Sequence, residues 1–130
     1  MATRPLYIDS NVFIYLFEGH KKYAPPVQEA MQKQIGKGGI FITSIVSISE
    51  LIVGASGSAE LLQEIPSTSI VNVGQAIAEQ AGLLRRQHPG LQLGDCIHLA
   101  TAICEHAETF MTNDKQLATA AAKHLSVISL

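Results

Sequence analysis

The chain has three aspartates, Asp9, Asp95 and Asp114, and one glutamate, Glu50, that stands alone in an otherwise uncharged stretch from Thr43 to Ala59. Carboxylates gathered in one crevice repel each other strongly unless a cation neutralises them. A ligand set made only of oxygen suits a hard cation, Mg²⁺ or Mn²⁺. Such ions stabilise the attacking and leaving oxygens of an in-line phosphoryl displacement. Each of the four residues also has an ordinary structural explanation. The aspartates all stand near expected helix starts, where capping and the helix dipole are worth about 1 kcal/mol. Glu50 serves equally as a solvated charge or as the partner of Arg85 or Arg86. Whether the fold brings the four together separates the two explanations.

The elements that must do so can be read in outline. Leu6 to Ile8 is a short buried strand that stops at Asp9, and Thr109 to Met111 is a strand with Asp114 just beyond it. Ligands of an open α/β sheet bind outside the carboxyl ends of its strands, so both aspartates fall at the useful edge. Asp95 opens a helix from Gly94 through Glu105 whose apolar face is Leu99, Ala102 and Ile103. Glu50 lies mid-helix among Ile45, Ile48, Leu51 and Ile52, on a segment capped by Thr43 or Ser44 and closed near Gly54.

Around these the pattern predicts a helix over Asn11 to Phe17, ended by Glu18-Gly19, and a second from Pro25-Pro26 to about Ile35. Strands follow at Ile40 to Ile42 and Ser69 to Val73, with a short helix Ser58 to Glu64 between them, stopped before Pro66. Gln75 to Gln87 and Asn113 to about Ala122 are further helices, and Ser126 to Ser129 is a last strand. Strands alternating with helices predict a three-layer α/β/α fold with a central parallel sheet of about five strands. With no repeat or linker, residues 1–130 read as one domain.

Composition narrows the function. Of 130 residues, 47% are hydrophobic and only 15% charged, and the net charge is −2. Much of the chain is therefore buried or faces a partner, and no overall basic field draws it onto nucleic acid. The longest uncharged runs, Gly38 to Ser49 and Ile65 to Ala78, are shorter than a membrane span and are broken by Gly, Pro or Ser. Met1 to Pro5 has no signal-peptide character, and Cys96 and Cys104 make no disulfide framework, so a cytoplasmic protein away from membranes is expected. Cys96-x-His98 and Cys104-x-His106 suggest zinc, but helical residues two apart point about 200° from each other and cannot chelate locally. The cysteines read as core and the histidines as incidental, with lining of the site left open as an alternative for His98.

Four segments, in order, carry a resemblance. Ile8-Asp9-Ser10-Asn11-Val12, Ser47-Ile48-Ser49-Glu50-Leu51, Leu93-Gly94-Asp95-Cys96-Ile97-His98-Leu99-Ala100-Thr101-Ala102 and Met111-Thr112-Asn113-Asp114-Lys115 resemble the four motifs of the PIN-domain family, and within it the VapC-type toxin nucleases of bacteria and archaea. In the third motif alanine and isoleucine are commoner than Cys96 and His98. The resemblance implies a parallel sheet with its first strand central, a site for one or two metal ions, and cleavage of single-stranded RNA by activated water without a covalent enzyme intermediate. It makes Asp9, Glu50, Asp95 and Asp114 the catalytic and metal-holding carboxylates, with Mg²⁺ or Mn²⁺. Asn11, Thr112 and Asn113 hold carboxylates or water beside them, and Lys115 meets RNA at the mouth of the crevice.

The resemblance also implies a small antitoxin partner laid across hydrophobic grooves. Val12 to Phe17 has more large apolar side chains than one helix face buries, a surplus available for such a groove, for a homodimer contact, or for ordinary core packing. The scarcity of basic residues stands against unaided RNA binding; weak affinity or a groove completed in a dimer resolves it. Rival enzymes fare worse. A haloacid-dehalogenase-type phosphotransferase needs a second carboxylate where Asn11 stands, a response-regulator receiver lacks its acidic pair, and no Gly-rich phosphate loop follows any strand. The remaining alternative is an inactive PIN-like scaffold for RNA or protein, against which the four filled acidic positions argue.

Overall fold

Short strands alternate with helices throughout the computed structural model, which describes residues 4–54 and 57–130. Met1 to Thr3, on which part of the signal-peptide expectation falls, lie outside the described residues, as do Ala55 and Ser56. The order is β1 (Leu6–Ile8), α1 (Ser10–Glu18), α2 (Ala24–Gly36), β2 (Phe41–Ser44), α3 (Val46–Gly54), α4 (Ser58–Glu64), β3 (Thr68–Val71), α5 (Gln75–Gln87), α6 (Leu93–Cys104), β4 (Thr109–Thr112), α7 (Lys115–Ala121) and β5 (Ser126–Ser129).

The strands form one five-stranded sheet in the order β3-β2-β1-β4-β5, with every neighbouring pair parallel. This is the three-layer α/β/α fold expected from the alternation. The chain winds outward from β1 to β2 and β3, then returns to the other side of β1 for β4 and β5. The order therefore reverses between β1 and β4, where open sheets place their ligands. The register sets Ile8 beside Met111, so the residues just past each, Asp9 and Thr112, emerge side by side.

Both faces of the sheet are covered, which is why its central strands are apolar on both sides. Tyr7, Ile42 and Phe110 pack under α5, α6 and α7 with Leu84, Leu99 and Leu117. Leu6, Ile8, Phe41 and Met111 pack under α1 to α4 with Phe13, Val27, Leu51 and Leu62. The start of β1 is tied down by the buried Gln34, whose Nε2 donates to the carbonyls of Arg4 at 3.1 Å and Ile40 at 3.0 Å. Gly19 ends α1 in the left-handed conformation at φ 64°, where a glycine carries no Cβ penalty.

Several boundaries differ from the sequence reading by one to two residues, among them those of β2 and β3. β2 runs on through Thr43 and Ser44, whose partners in β3 are Ile70 and Val71, and Ser44 still serves the start of α3, its Oγ accepting the Val46 amide at 3.2 Å. β3 in turn stops at Val71, opposite the end of β2, and does not reach Val73. Of the apolar run in α1, Val12 and Phe13 are fully buried, while Ile14, Leu16 and Phe17 pack half-buried against the same core. Core packing therefore absorbs most of that surplus. The two most exposed large apolar side chains among the described residues lie on the neighbouring α3, where Ile52 is 64% and Val53 89% exposed; Ile35, Leu83 and Leu93 are exposed on α2, α5 and α6. Among the described residues no helix is long and apolar enough to cross a membrane.

Candidate metal centre

Asp9 ends the central strand, caps α1 and is only 4% exposed. Its Oδ1 accepts the Ser10 amide at 2.8 Å and its Oδ2 accepts the Thr112 hydroxyl at 2.8 Å. Thr112 is fully buried at the end of β4, and its hydroxyl oxygen also accepts the Asp114 amide at 3.0 Å. One threonine thus joins Asp9 to the backbone of Asp114 across the switch point. Asp114 caps α7 through Oδ1, which accepts the Leu117 amide at 3.1 Å. Asp95 sits in the first turn of α6, where Oδ2 accepts the Gln92 amide at 3.1 Å in a capping box.

Capping is therefore real for all three aspartates, and it does not exhaust them. Asp95 Oδ1 and Asp114 Oδ2 accept no hydrogen bond among the described residues. The carboxylates also sense one another. Burial raises the Asp95 carboxyl above its ordinary value, and the charges of Asp114 and Asp9 push it further. Burial likewise raises Asp9, against the opposing pull of His98, Thr112 and Ser10. The four acidic residues share one electrostatic environment at the carboxyl edge of the sheet.

Glu50 reaches this edge from α3, half-buried, and its Oε1 lies 2.5 Å from Nε2 of His98 on α6. The arginine partner considered for Glu50 is not found: neither Arg85 nor Arg86 forms an ion pair among the described residues. His98 is 1% exposed, and its Nε2 is also 3.5 Å from Asp9 Oδ1. Its Nδ1 is 2.6 Å from the Tyr7 hydroxyl, whose oxygen accepts the Ser44 amide at 3.0 Å. Burial pushes the Glu50 carboxyl up, but the hydrogen bond and charge of His98 outweigh it and hold Glu50 below the usual range. Burial pushes His98 down, and Asp9, Glu50 and Asp95 outweigh it, so the imidazole is raised.

The Thr112 hydroxyl is bonded to the Asp9 carboxylate. Asn11 Oδ1 accepts the Asn113 amide at 3.4 Å, and Asn113 Nδ2 donates to the Tyr15 hydroxyl at 2.7 Å. They fasten the β4–α7 turn, and so Asp114, to α1. Lys115 is exposed at the first residue of α7 and lines a groove of about 420 Å³ with His88, Gln116 and Lys123, without a carboxylate in its walls. His98 and Tyr7 belong to the site although the sequence reading did not place them there. The available signal is that His98 lies three residues after Asp95 and so shares its helix face. A polar ring buried on that face requires partners at both nitrogens.

Among the described residues no three Asp, Glu, His or Cys side chains are drawn into a ready-made ion cage. The donor chemistry nevertheless fits a hard divalent cation. The oxygens are carboxylate oxygens, and Asp95 Oδ1 and Asp114 Oδ2 lack protein partners among the described residues. Burial and mutual repulsion raise Asp9 and Asp95 in a way that a cation reverses.

The family described as the PIN domain matches residues 6–123. A toxin–antitoxin complex from Klebsiella pneumoniae contains a chain 28% identical to this one, covering 87% of this chain and 90% of that chain with a TM-score of 0.66. VapBC2 from Rickettsia felis, bound to a DNA fragment from its promoter, is 17% identical over 96% of this chain and 98% of that chain, with a TM-score of 0.71. VapBC-1 from nontypeable Haemophilus influenzae is 16% identical over 96% and 97%, with a TM-score of 0.69. The last two likenesses establish the fold alone. No curated protein matches the sequence.

Proposed function

The chain belongs to the PIN-domain family, and from that premise we propose that it is a divalent-metal-dependent endoribonuclease acting as the toxin of a toxin–antitoxin pair. The observation that carries this reading is the bridge from Asp9 through Thr112 to Asp114, with Asp95 coupled to both by charge. Asp9, Glu50, Asp95 and Asp114 are the residues that would hold Mg²⁺ or Mn²⁺. The chemistry such an ion supplies is activation of water and stabilisation of charge on a phosphodiester. Thr112 keeps Asp9 oriented, and Asn11 with Asn113 keeps the turn bearing Asp114 in place.

Single-stranded RNA is the substrate we assign. Lys115, Lys123 and His88 line a groove that begins one residue past Asp114, and they supply contacts for backbone phosphates in a chain otherwise short of basic residues. The toxin role draws on the toxin–antitoxin complex from Klebsiella pneumoniae at 28% identity. A small cognate antitoxin, and a homodimer contact, are assigned to the apolar surface that Ile52 and Val53 expose beside α1. Residues 1–130 act as one nuclease domain in the cytoplasm.

The test is Mn²⁺ calorimetry together with cleavage of a single-stranded RNA, for the unaltered protein and for Asp95→Asn. We expect binding and metal-dependent cleavage by the former, and native folding with loss of cleavage in the latter. Full activity in excess chelator overturns the metal dependence, and absence of both Mn²⁺ binding and cleavage overturns the nuclease reading in favour of an inactive PIN-like scaffold.

A further inference from the structure

We propose that His98 is a positioning residue, anchored by Tyr7, whose ring N–H holds the Glu50 carboxylate at the metal centre and keeps it apart from Asp9. The inference rests on the metal-centre reading above and assigns work to two residues outside the acidic set.

A carboxylate only accepts hydrogen bonds, so at the Glu50 contact His98 Nε2 must carry the hydrogen. That N–H lies between two carboxylates, Glu50 Oε1 at 2.5 Å and Asp9 Oδ1 at 3.5 Å. Glu50 itself is 44% exposed on α3, and besides His98 the Ser10 side chain is its other hydrogen-bond partner. Left alone, its three rotatable bonds would carry the carboxylate among several poses. His98 removes that freedom from one side.

The ring cannot do this unless it is itself immobile, and the core supplies the anchor. Tyr7 Oη meets His98 Nδ1 at 2.6 Å and is pinned by the Ser44 amide at 3.0 Å. The Tyr7 ring stacks on Phe110 at 5.0 Å with an interplanar angle of 2°. Tyr7, Ser44 and His98 are all buried, so water does not compete for these bonds. The relay runs from the backbone of β2, through the central strand, through α6, to a carboxylate on α3. A buried imidazole with apolar neighbours costs desolvation that only such partners offset. Partners of metal-holding side chains typically matter about 10- to 100-fold in metal affinity.

The experiment uses the full chain and two readouts. In the metal-free protein, ¹⁵N–¹H NMR should show one His98 ring N–H far downfield and protected from exchange. It should vanish in Glu50→Ala and shift in Tyr7→Phe while the backbone spectrum stays native. Its absence from the unaltered protein, or its persistence in Glu50→Ala, overturns the relay. The second readout is Mn²⁺ affinity by calorimetry. His98→Leu should weaken binding about 10- to 100-fold, and His98→Gln, which keeps an N–H donor, should recover most of the affinity. Tyr7→Phe should weaken binding in the unaltered background and add nothing in the His98→Leu background. Equal effects of Tyr7→Phe in both backgrounds, or affinity unchanged by His98→Leu, defeat the proposal while leaving the metal centre intact. If the unaltered protein binds no Mn²⁺, the metal-centre reading falls and takes the relay with it. Should His98→Leu fail to fold, the ring N–H signal and the Tyr7→Phe and His98→Gln affinities decide.

Discussion

Replacing Thr112 by valine keeps the shape of a fully buried side chain and deletes one hydroxyl that makes two hydrogen bonds. The first is donated to the carboxylate of Asp9, and bonds to charged groups are worth about 1.5–3 kcal/mol. The second is accepted from the Asp114 amide, which is half-buried and forfeits a neutral bond worth roughly 1 kcal/mol. The expected destabilisation of the metal-free protein is therefore about 2.5–4 kcal/mol. For a chain of this size that corresponds to a fall in melting temperature of about 8–16 °C, taking roughly 3–4 °C per kcal/mol. Urea denaturation at neutral pH, with calorimetric melting, measures it. A double-mutant cycle with Asp9→Asn isolates the interaction, and a coupling of about 1–2 kcal/mol is expected for groups that touch directly. A destabilisation below about 0.5 kcal/mol, the scale of indifferent surface changes, would refute the bridge across the switch point. So would additivity of the two substitutions.

Three further outcomes follow from the same geometry. Asp95 has its carboxyl raised above the ordinary value of 3.8, so ionising it opposes folding, and stability falls as pH rises from that value through the raised one. Asp95→Asn should therefore stabilise the metal-free protein at neutral pH and have no such benefit below the ordinary carboxylate range; denaturation curves at the two pH values check it. Charge reversal of Lys115 and Lys123 should weaken binding of single-stranded RNA and flatten its salt dependence by about 0.7 in log–log slope for each phosphate no longer neutralised. A fluorescence titration at several salt concentrations reads this, and an unchanged slope removes RNA from that groove. Gln34→Leu deletes two buried hydrogen bonds at the start of β1 and should cost about 1–3 kcal/mol while leaving Mn²⁺ affinity unaltered, since Gln34 lies at the opposite end of that strand from Asp9.

Much of this protein is written locally. The alternation of strands and helices gives away the parallel three-layer fold, because each element's apolar pattern must match a sheet covered on both faces. The positions of Asp9 and Asp114 just past strand ends are legible for the same reason, and so is the capping role of the aspartates, which depends on neighbours within three residues. Other features are decided only by tertiary structure. Ser44 is legible as a cap and does accept the Val46 amide, but that β2 also runs through Thr43 and Ser44 is decided by Ile70 and Val71 beside them, since strand ends are set by the partner strand. Asn11 and Asn113 are legible only as polar positions beside the carboxylates; that they bond to each other and to Tyr15 is decided by a turn that only folding closes. The local spacing of His98 to Cys96 makes chelation impossible, and its spacing to Asp95 places it on the same helix face without naming its partners. Its partners are Glu50, 48 residues away, and Tyr7, 91 residues away. Hydrogen bonds and charges act over a few ångströms of space regardless of sequence separation, so the relay exists only where the sheet brings β1, α3 and α6 together.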